Sequence, residues 1–200
     1  YAYVPFRDYI SKIADCPLLE PDIDSNSLAW LETRFRHLGV IFYGLNTSVP
    51  SSSDLPEPKV DSSDLGKLGK KLNEVKKNQN EDQSLIVIGM GHHSPVAMAD
   101  DCAVKNVKEM EEFFQGNGKT HVFLHGHCHE ADIRNIELHD ERLVRIGAPS
   151  FSQTAKDRPE DTFRGFNLLT FTRKNHKIVS LRIESFGWIG SILKCIDTKK

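Results

Sequence analysis

Two short histidine clusters carry most of the chemistry this sequence could perform. Thr120 to Glu130 reads Thr-His-Val-Phe-Leu-His-Gly-His-Cys-His-Glu, an apolar run ending in alternating histidines. Leu85 to Pro95 repeats the plan: Leu-Ile-Val-Ile, then Gly-Met-Gly-His-His-Ser-Pro. Of nine histidines, six fall in these clusters, His92 and His93 in one and His121, His125, His127 and His129 in the other. A lone histidine is usually a hydrogen-bonded core residue, but neutral imidazole is also the commonest metal ligand, so clusters after buried strands favour a metal site. In extended chain, residues i and i+2 point the same way, which sets His127 and His129 side by side at a strand end.

Two architectures fit these residue types. In one, His92, His127 and His129 hold a single zinc with an open position for water. In the other, His127 and His129 serve different members of a metal pair about 3.5–4 Å apart, and carboxylates complete the shells. Histidines alone leave both open. Cys128 lies between two candidate ligands, is expected on the opposite face, and reads as a small packed residue.

The histidines need strands behind them, and the surrounding sequence supplies these. Leu28 to Asn46 reads as two strands around His37-Leu38-Gly39, the second, Val40 to Leu45, apolar enough to be buried on both faces. The sequon Asn46-Thr47-Ser48 ends that core strand and is read as coincidental. Ser48 to Asp61, rich in Ser and Pro, is expected to be a surface loop. A helix capped by Ser62 or Ser63 follows, with Leu65, Leu68, Leu72 and Val75 as its apolar stripe and Lys67, Lys70, Lys71, Lys76 and Lys77 as its solvated face. A second helix is expected from about Val104 to Gln115, stopped by Gly116-Asn117-Gly118. Two strand–helix units in succession imply neighbouring parallel strands, with His92 and His127 on one edge of the sheet.

Elsewhere the pattern differs. Phe6 to Ala14 has apolar residues at helical spacing. Asp132–Leu138, Arg142–Ile146, Gly165–Thr172 and Lys177–Glu184 read as antiparallel strands of a second sheet, Ser152 to Phe163 as a polar loop, and Ile189 to Lys200 as a short helix or frayed tail.

The bulk composition narrows the class. With 200 residues, 38% hydrophobic and 27% charged, the chain can bury one sizeable core. A net charge of -2 gives no basic footprint for nucleic acid and no acidic tail. The four cysteines have no C-x-x-C spacing and are too sparse for a disulfide scaffold, so a reducing, cytoplasmic setting is expected. No apolar run approaches the roughly 20 residues of a membrane span.

The two clusters, in this order, resemble the last two motifs of the calcineurin-like metallophosphoesterases: Gly91-His92-His93-Ser94-Pro95 after its strand, then Gly126-His127-Cys128-His129. Gly39 to Ser48 and Gly165 to Trp188 are similar to further strands of that family, so the resemblance covers most of the chain. It implies an α/β fold, a layered sandwich of two mixed β-sheets flanked by helices. It also implies a phosphomono- or phosphodiesterase using a metal-bridged hydroxide and two divalent metal ions of the Mn, Fe or Zn type. By the same resemblance His92 and His127 bind one ion, His129 binds the other, and His93 lies near the substrate phosphate as the catalytic and substrate-binding residue. The substrate would be a phosphate ester, with nucleic acid left open although charge does not indicate it.

The earlier motifs of that family, Asp-x-His, Gly-Asp and Gly-Asn-His, occur nowhere in this sequence. Residues 1–200 are therefore expected to be the C-terminal part of a single domain whose N-terminal phosphoesterase segment, in cis or in trans, supplies the carboxylates. The alternatives are a mononuclear three-histidine zinc hydrolase and a degenerate phosphoesterase-like binding module.

Overall fold

The computed structural model describes residues 29–49, 57–78, 84–96, 103–128, 131–138, 141–149, 163–175, 177–189 and 192–199. The helix expected over Phe6–Ala14, the loop of Asp100, Asp101 and Cys102, most of the loop from Ser152 to Phe163, and His129 lie outside them.

Strand β1 (Ala29–Glu32), a 3-10 turn (Arg34–Leu38) and β2 (Val40–Leu45) form an antiparallel hairpin. Gly39 closes the turn at φ 82°, a left-handed conformation that suits a residue without Cβ. The short strands β3 (Ser48–Val49) and β4 (Glu57–Pro58) pair with each other, so the expected loop has a small ladder at its ends. Helix α1 spans Ser62–Lys77, and its N-cap is Asp61 rather than either serine. The Asp61 carboxylate accepts the Ser63 amide at 2.7 Å, satisfying an amide that the first turn leaves open.

Next come β5 (Ile86–Gly91), α2 (Val107–Gln115) and β6 (Val122–His125). They are followed by β7 (Ile133–Leu138), β8 (Glu141–Gly147), β9 (Gly165–Lys174), β10 (Lys177–Ile189) and β11 (Ile192–Lys199). The main sheet runs β1-β2-β5-β6-β8-β7, with β2, β5, β6 and β8 parallel and antiparallel strands at both edges. The second sheet, β11-β10-β9, is wholly antiparallel.

The expected α/β sandwich of two sheets is therefore present, with three differences. Only the main sheet is mixed. The β7–β8 pair joins that sheet rather than the second, because β8 is buried on both faces: Leu143 and Arg145 turn one way, Val144 and Ile146 the other. The last segment is strand β11 rather than helix or tail; all its residues are exposed, which erases the alternation by which a half-buried strand is read.

Alternation along the central strands divides the core. Ile41, Tyr43, Val87, Phe123 and Leu143 face the helices, meeting Leu65, Leu68 and Leu72 of α1 and Met110, Phe113 and Phe114 of α2. Ile88, Val122 and Ile146 face the second sheet, meeting Ile183, Leu169, Phe171 and Leu181. Each fully buried leucine of α1 contributes about 1.5–3 kcal/mol relative to exposure. Among the described residues the helices thus cover one face of the main sheet, and no helix is long and apolar enough to cross a membrane.

Gly89 shows how tightly the helical side is packed. A Cβ there would run into the Tyr43 phenol and come within 2.6 Å of the Phe123 ring. The Tyr43 hydroxyl meets Thr120 Oγ1 at 2.7 Å, and burial pushes this phenol far above its ordinary range.

Candidate metal centre

Parallel pairing brings β5 and β6 to a common end, with Gly91 beside His125 in register. The residues that follow therefore emerge together at the carboxyl edge of the sheet, where α/β proteins place ligands. Gly126 ties the two turns, its amide donating to the His92 carbonyl at 3.0 Å. His127 then adopts φ 65°, in the left-handed region. This corrects the expectation of extended chain at His127. The left-handed turn, rather than strand alternation, swings His127 back over β5.

His127 Nδ1 and His92 Nε2 lie 3.1 Å apart. His93 completes the group, its ring centroid 4.4 Å from that of His127 and 4.9 Å from that of His92. One ligand nitrogen from each of the three lies within 4.8 Å of the others, so His92, His93 and His127 could hold a metal ion. The 3.1 Å separation is shorter than two zinc–nitrogen bonds of about 2.0–2.1 Å each laid end to end, so one ion can touch both. Imidazole donors suit zinc- and iron-type ions. Among the described residues no carboxylate belongs to this group. The donor set fits one cation but brings no negative charge to it.

The third strand end contributes Thr47, two residues after β2 and 1% exposed. Its Oγ1 accepts the amides of His92 at 3.0 Å and His93 at 2.9 Å, and lies 3.0 Å from His93 Nδ1. Sequence reasoning passed over Thr47 as part of a sequon; the available signal was its place at the end of a core strand adjacent to β5. Burial is the main cause that lowers the pKa of His93 to about 4, and charge on His127 or His92 would oppose its protonation further. At neutral pH His93 is uncharged.

Beneath the triad lies a buried polar group. His125 Nδ1 donates to the Gly126 carbonyl at 3.1 Å, leaving Nε2 buried with no hydrogen-bond partner among the described residues. Its pKa is likewise lowered to about 4, chiefly by burial, with the Arg145 guanidinium adding to the effect. Arg145, 1% exposed, pairs through Nη2 with the Asp132 carboxylate and donates through Nη1 to Ser94 Oγ at 3.2 Å. A buried guanidinium thus braces the residue that follows His93. Nothing in the local pattern announces this role, since Arg145 is a polar position within a strand.

His121 has a structural role, its Nδ1 accepting the Val87 amide at 3.0 Å. Cys128 is half-buried and lies outside the three-histidine group.

Among solved structures the chain is similar to GAP50, described as the anchor in the inner membrane complex of Plasmodium, at 15% identity and a TM-score of 0.51 over 80% of this chain. The match takes in 48% of the GAP50 chain, about half its length. A Vps29 double mutant from Entamoeba histolytica aligns with 78% of this chain and 95% of its own, at 11% identity and a TM-score of 0.34. No family model matches the chain, and no curated protein matches it. The GAP50 likeness speaks to the fold alone.

Proposed function

We propose that this chain supplies the histidine side of a metal site in a calcineurin-like metallophosphoesterase, a hydrolase of phosphomono- or phosphodiesters. The observation that carries the reading is the convergence of His92, His93 and His127 from two parallel strand ends. His92 and His127 would hold one divalent cation, and His129 is assigned to a second. When bound, such ions neutralise charge on the phosphoryl oxygens and lower the pKa of water.

The chain's own residues then bind and orient. His93, neutral and buried, contacts the phosphate of the ester from beside the cation site. Gly126 and Thr47 hold the two turns in register through the His92 carbonyl and the His92 and His93 amides. Carboxylates come from an N-terminal phosphoesterase segment, in cis or in trans, in a cytoplasmic protein. A mononuclear zinc hydrolase using all three clustered histidines is the second reading, favoured by their mutual approach within 4.8 Å.

The test is hydrolysis of bis(p-nitrophenyl) phosphate by the complete protein with added manganese or zinc. Metal-dependent turnover that falls at least about 100-fold in His92→Ala, a loss of roughly 2.7 kcal/mol in the barrier, supports the reading. Turnover that ignores both the metal and the substitution refutes it. A protein that binds the metal but turns over no phosphoester points instead to a binding module.

A further inference from the structure

We propose that Thr47 is a positioning residue that fixes the tautomer of His93, so that His93 offers an Nε2–H to an anionic substrate oxygen instead of serving as a third metal ligand. The proposal rests on the phosphoesterase reading for its substrate but not for its geometry.

Three groups meet the Thr47 hydroxyl: the His92 amide at 3.0 Å, the His93 amide at 2.9 Å and His93 Nδ1 at 3.0 Å. A hydroxyl has two acceptor positions and one hydrogen to give. Backbone amides can only donate, so the two of them take both acceptor positions. The hydroxyl hydrogen is then directed at His93 Nδ1; a protonated Nδ1 would instead face the Thr47 carbonyl and leave that hydrogen without this acceptor. In the neutral ring the proton therefore sits on Nε2.

That tautomer decides between two roles. A histidine bound to metal through Nε2 needs its lone pair there and donates its other N–H to a carboxylate, carbonyl or water. His93 has the reverse arrangement: Nδ1 accepts and Nε2 carries hydrogen. That arrangement disfavours His93 as an Nε2 ligand, even though its ring lies within the three-histidine group. The facing pair His92 Nε2 and His127 Nδ1 is left to hold the cation, with an N–H donor beside it. That combination suits an oxygen bearing negative charge next to a metal, as a phosphate ester provides.

The substitution Thr47→Ser keeps all three interactions, whereas Thr47→Val keeps the shape and removes them. The experiment is nitrogen NMR of the complete protein with labelled histidine, first metal-free, then with zinc, then with zinc and inorganic phosphate. The native protein and Thr47→Ser are expected to show His93 with a protonated Nε2 and a bare Nδ1. Zinc should shift the ring nitrogens of His92 and His127 while His93 keeps its proton, and phosphate should then shift His93 Nε2–H. In Thr47→Val, if it folds, both tautomers of His93 should appear. A native His93 protonated at Nδ1, or one that loses its Nε2 proton on zinc binding, overturns the proposal even if the protein hydrolyses phosphoesters. The expected tautomer in a protein with no phosphoesterase activity would sustain Thr47's role and overturn the functional reading.

Discussion

Asp132→Asn should destabilise the protein more than removal of the cation that Asp132 neutralises. Arg145 is 1% exposed and Asp132 18%, so the substitution strands a positive charge in the core. Removing one partner of a buried pair costs about 3–5 kcal/mol, whereas replacing the whole pair with apolar groups is often neutral. Water reaches Asp132, so the low end applies, about 3 kcal/mol. With a urea dependence of about 2 kcal/mol per molar, the unfolding midpoint should fall by roughly 1.5 M.

Arg145→Met removes the charge and keeps a stem to fill the space. It deprives Ser94 Oγ of one donor, but that oxygen still donates to the Val96 carbonyl at 3.1 Å. Its cost should be about 1–2 kcal/mol, and Asp132→Asn added to Arg145→Met should change little further. Urea unfolding of the two single variants and the double variant measures all three. A midpoint that drops less in Asp132→Asn than in Arg145→Met, or single effects that simply add, would refute the claim of a stranded guanidinium.

Other substitutions probe the framework and the buried histidine. Gly89→Ala should cost about 1–3 kcal/mol through overpacking against Tyr43 and Phe123, lowering the melting temperature by several degrees; an unchanged melt would contradict the close packing described here. Asp61→Ala should cost about 1 kcal/mol by uncapping α1, read as an earlier loss of helical circular dichroism in denaturant. Acid should weaken the metal-free fold through His125, whose pKa falls from 6.5 to about 4 on folding. The unfolded chain then takes up a proton that the folded protein refuses, so stability is full above about pH 6.5 and is lost as the pH falls toward 4, by up to about 3 kcal/mol. Denaturant titrations at pH 7 and pH 5 in EDTA check this; stability that holds constant or rises on acidification would show that His125 is not kept neutral by burial.

The parts of this architecture that were legible in sequence are those in which hydrophobicity alone fixes the outcome. Val40–Leu45 and Leu85–Ile88 are apolar on both faces because sheet and helices cover both sides of β2 and β5, and the histidines follow where the apolar runs stop. Their meeting at His92 and His127 follows from parallel pairing, which the intervening helices imply. What escaped depends on partners distant in sequence or on a single backbone angle. Thr47 acts on His93 from 46 residues away through one oxygen, and nothing in a Thr after a strand marks it. The left-handed φ of His127 is not readable from its residue type, since histidine adopts that conformation only in a small minority of positions. Arg145 became a core residue because Asp132 and Ser94 are there to receive it. Strand β11 pairs along β10 with every residue exposed, so its side chains carry no period of burial.

In the proposed site His92 and His127 hold a divalent cation while His93 stands beside it unligated. Zinc content and zinc X-ray absorption of the complete protein, compared with His92→Ala, His127→Ala and His93→Gln, test it most directly. The expected result is zinc with imidazole nitrogens at about 2.0–2.1 Å, its occupancy reduced in His92→Ala and in His127→Ala and retained in His93→Gln. Zinc bound equally well by the His92 and His127 variants, or lost only in His93→Gln, would contradict it.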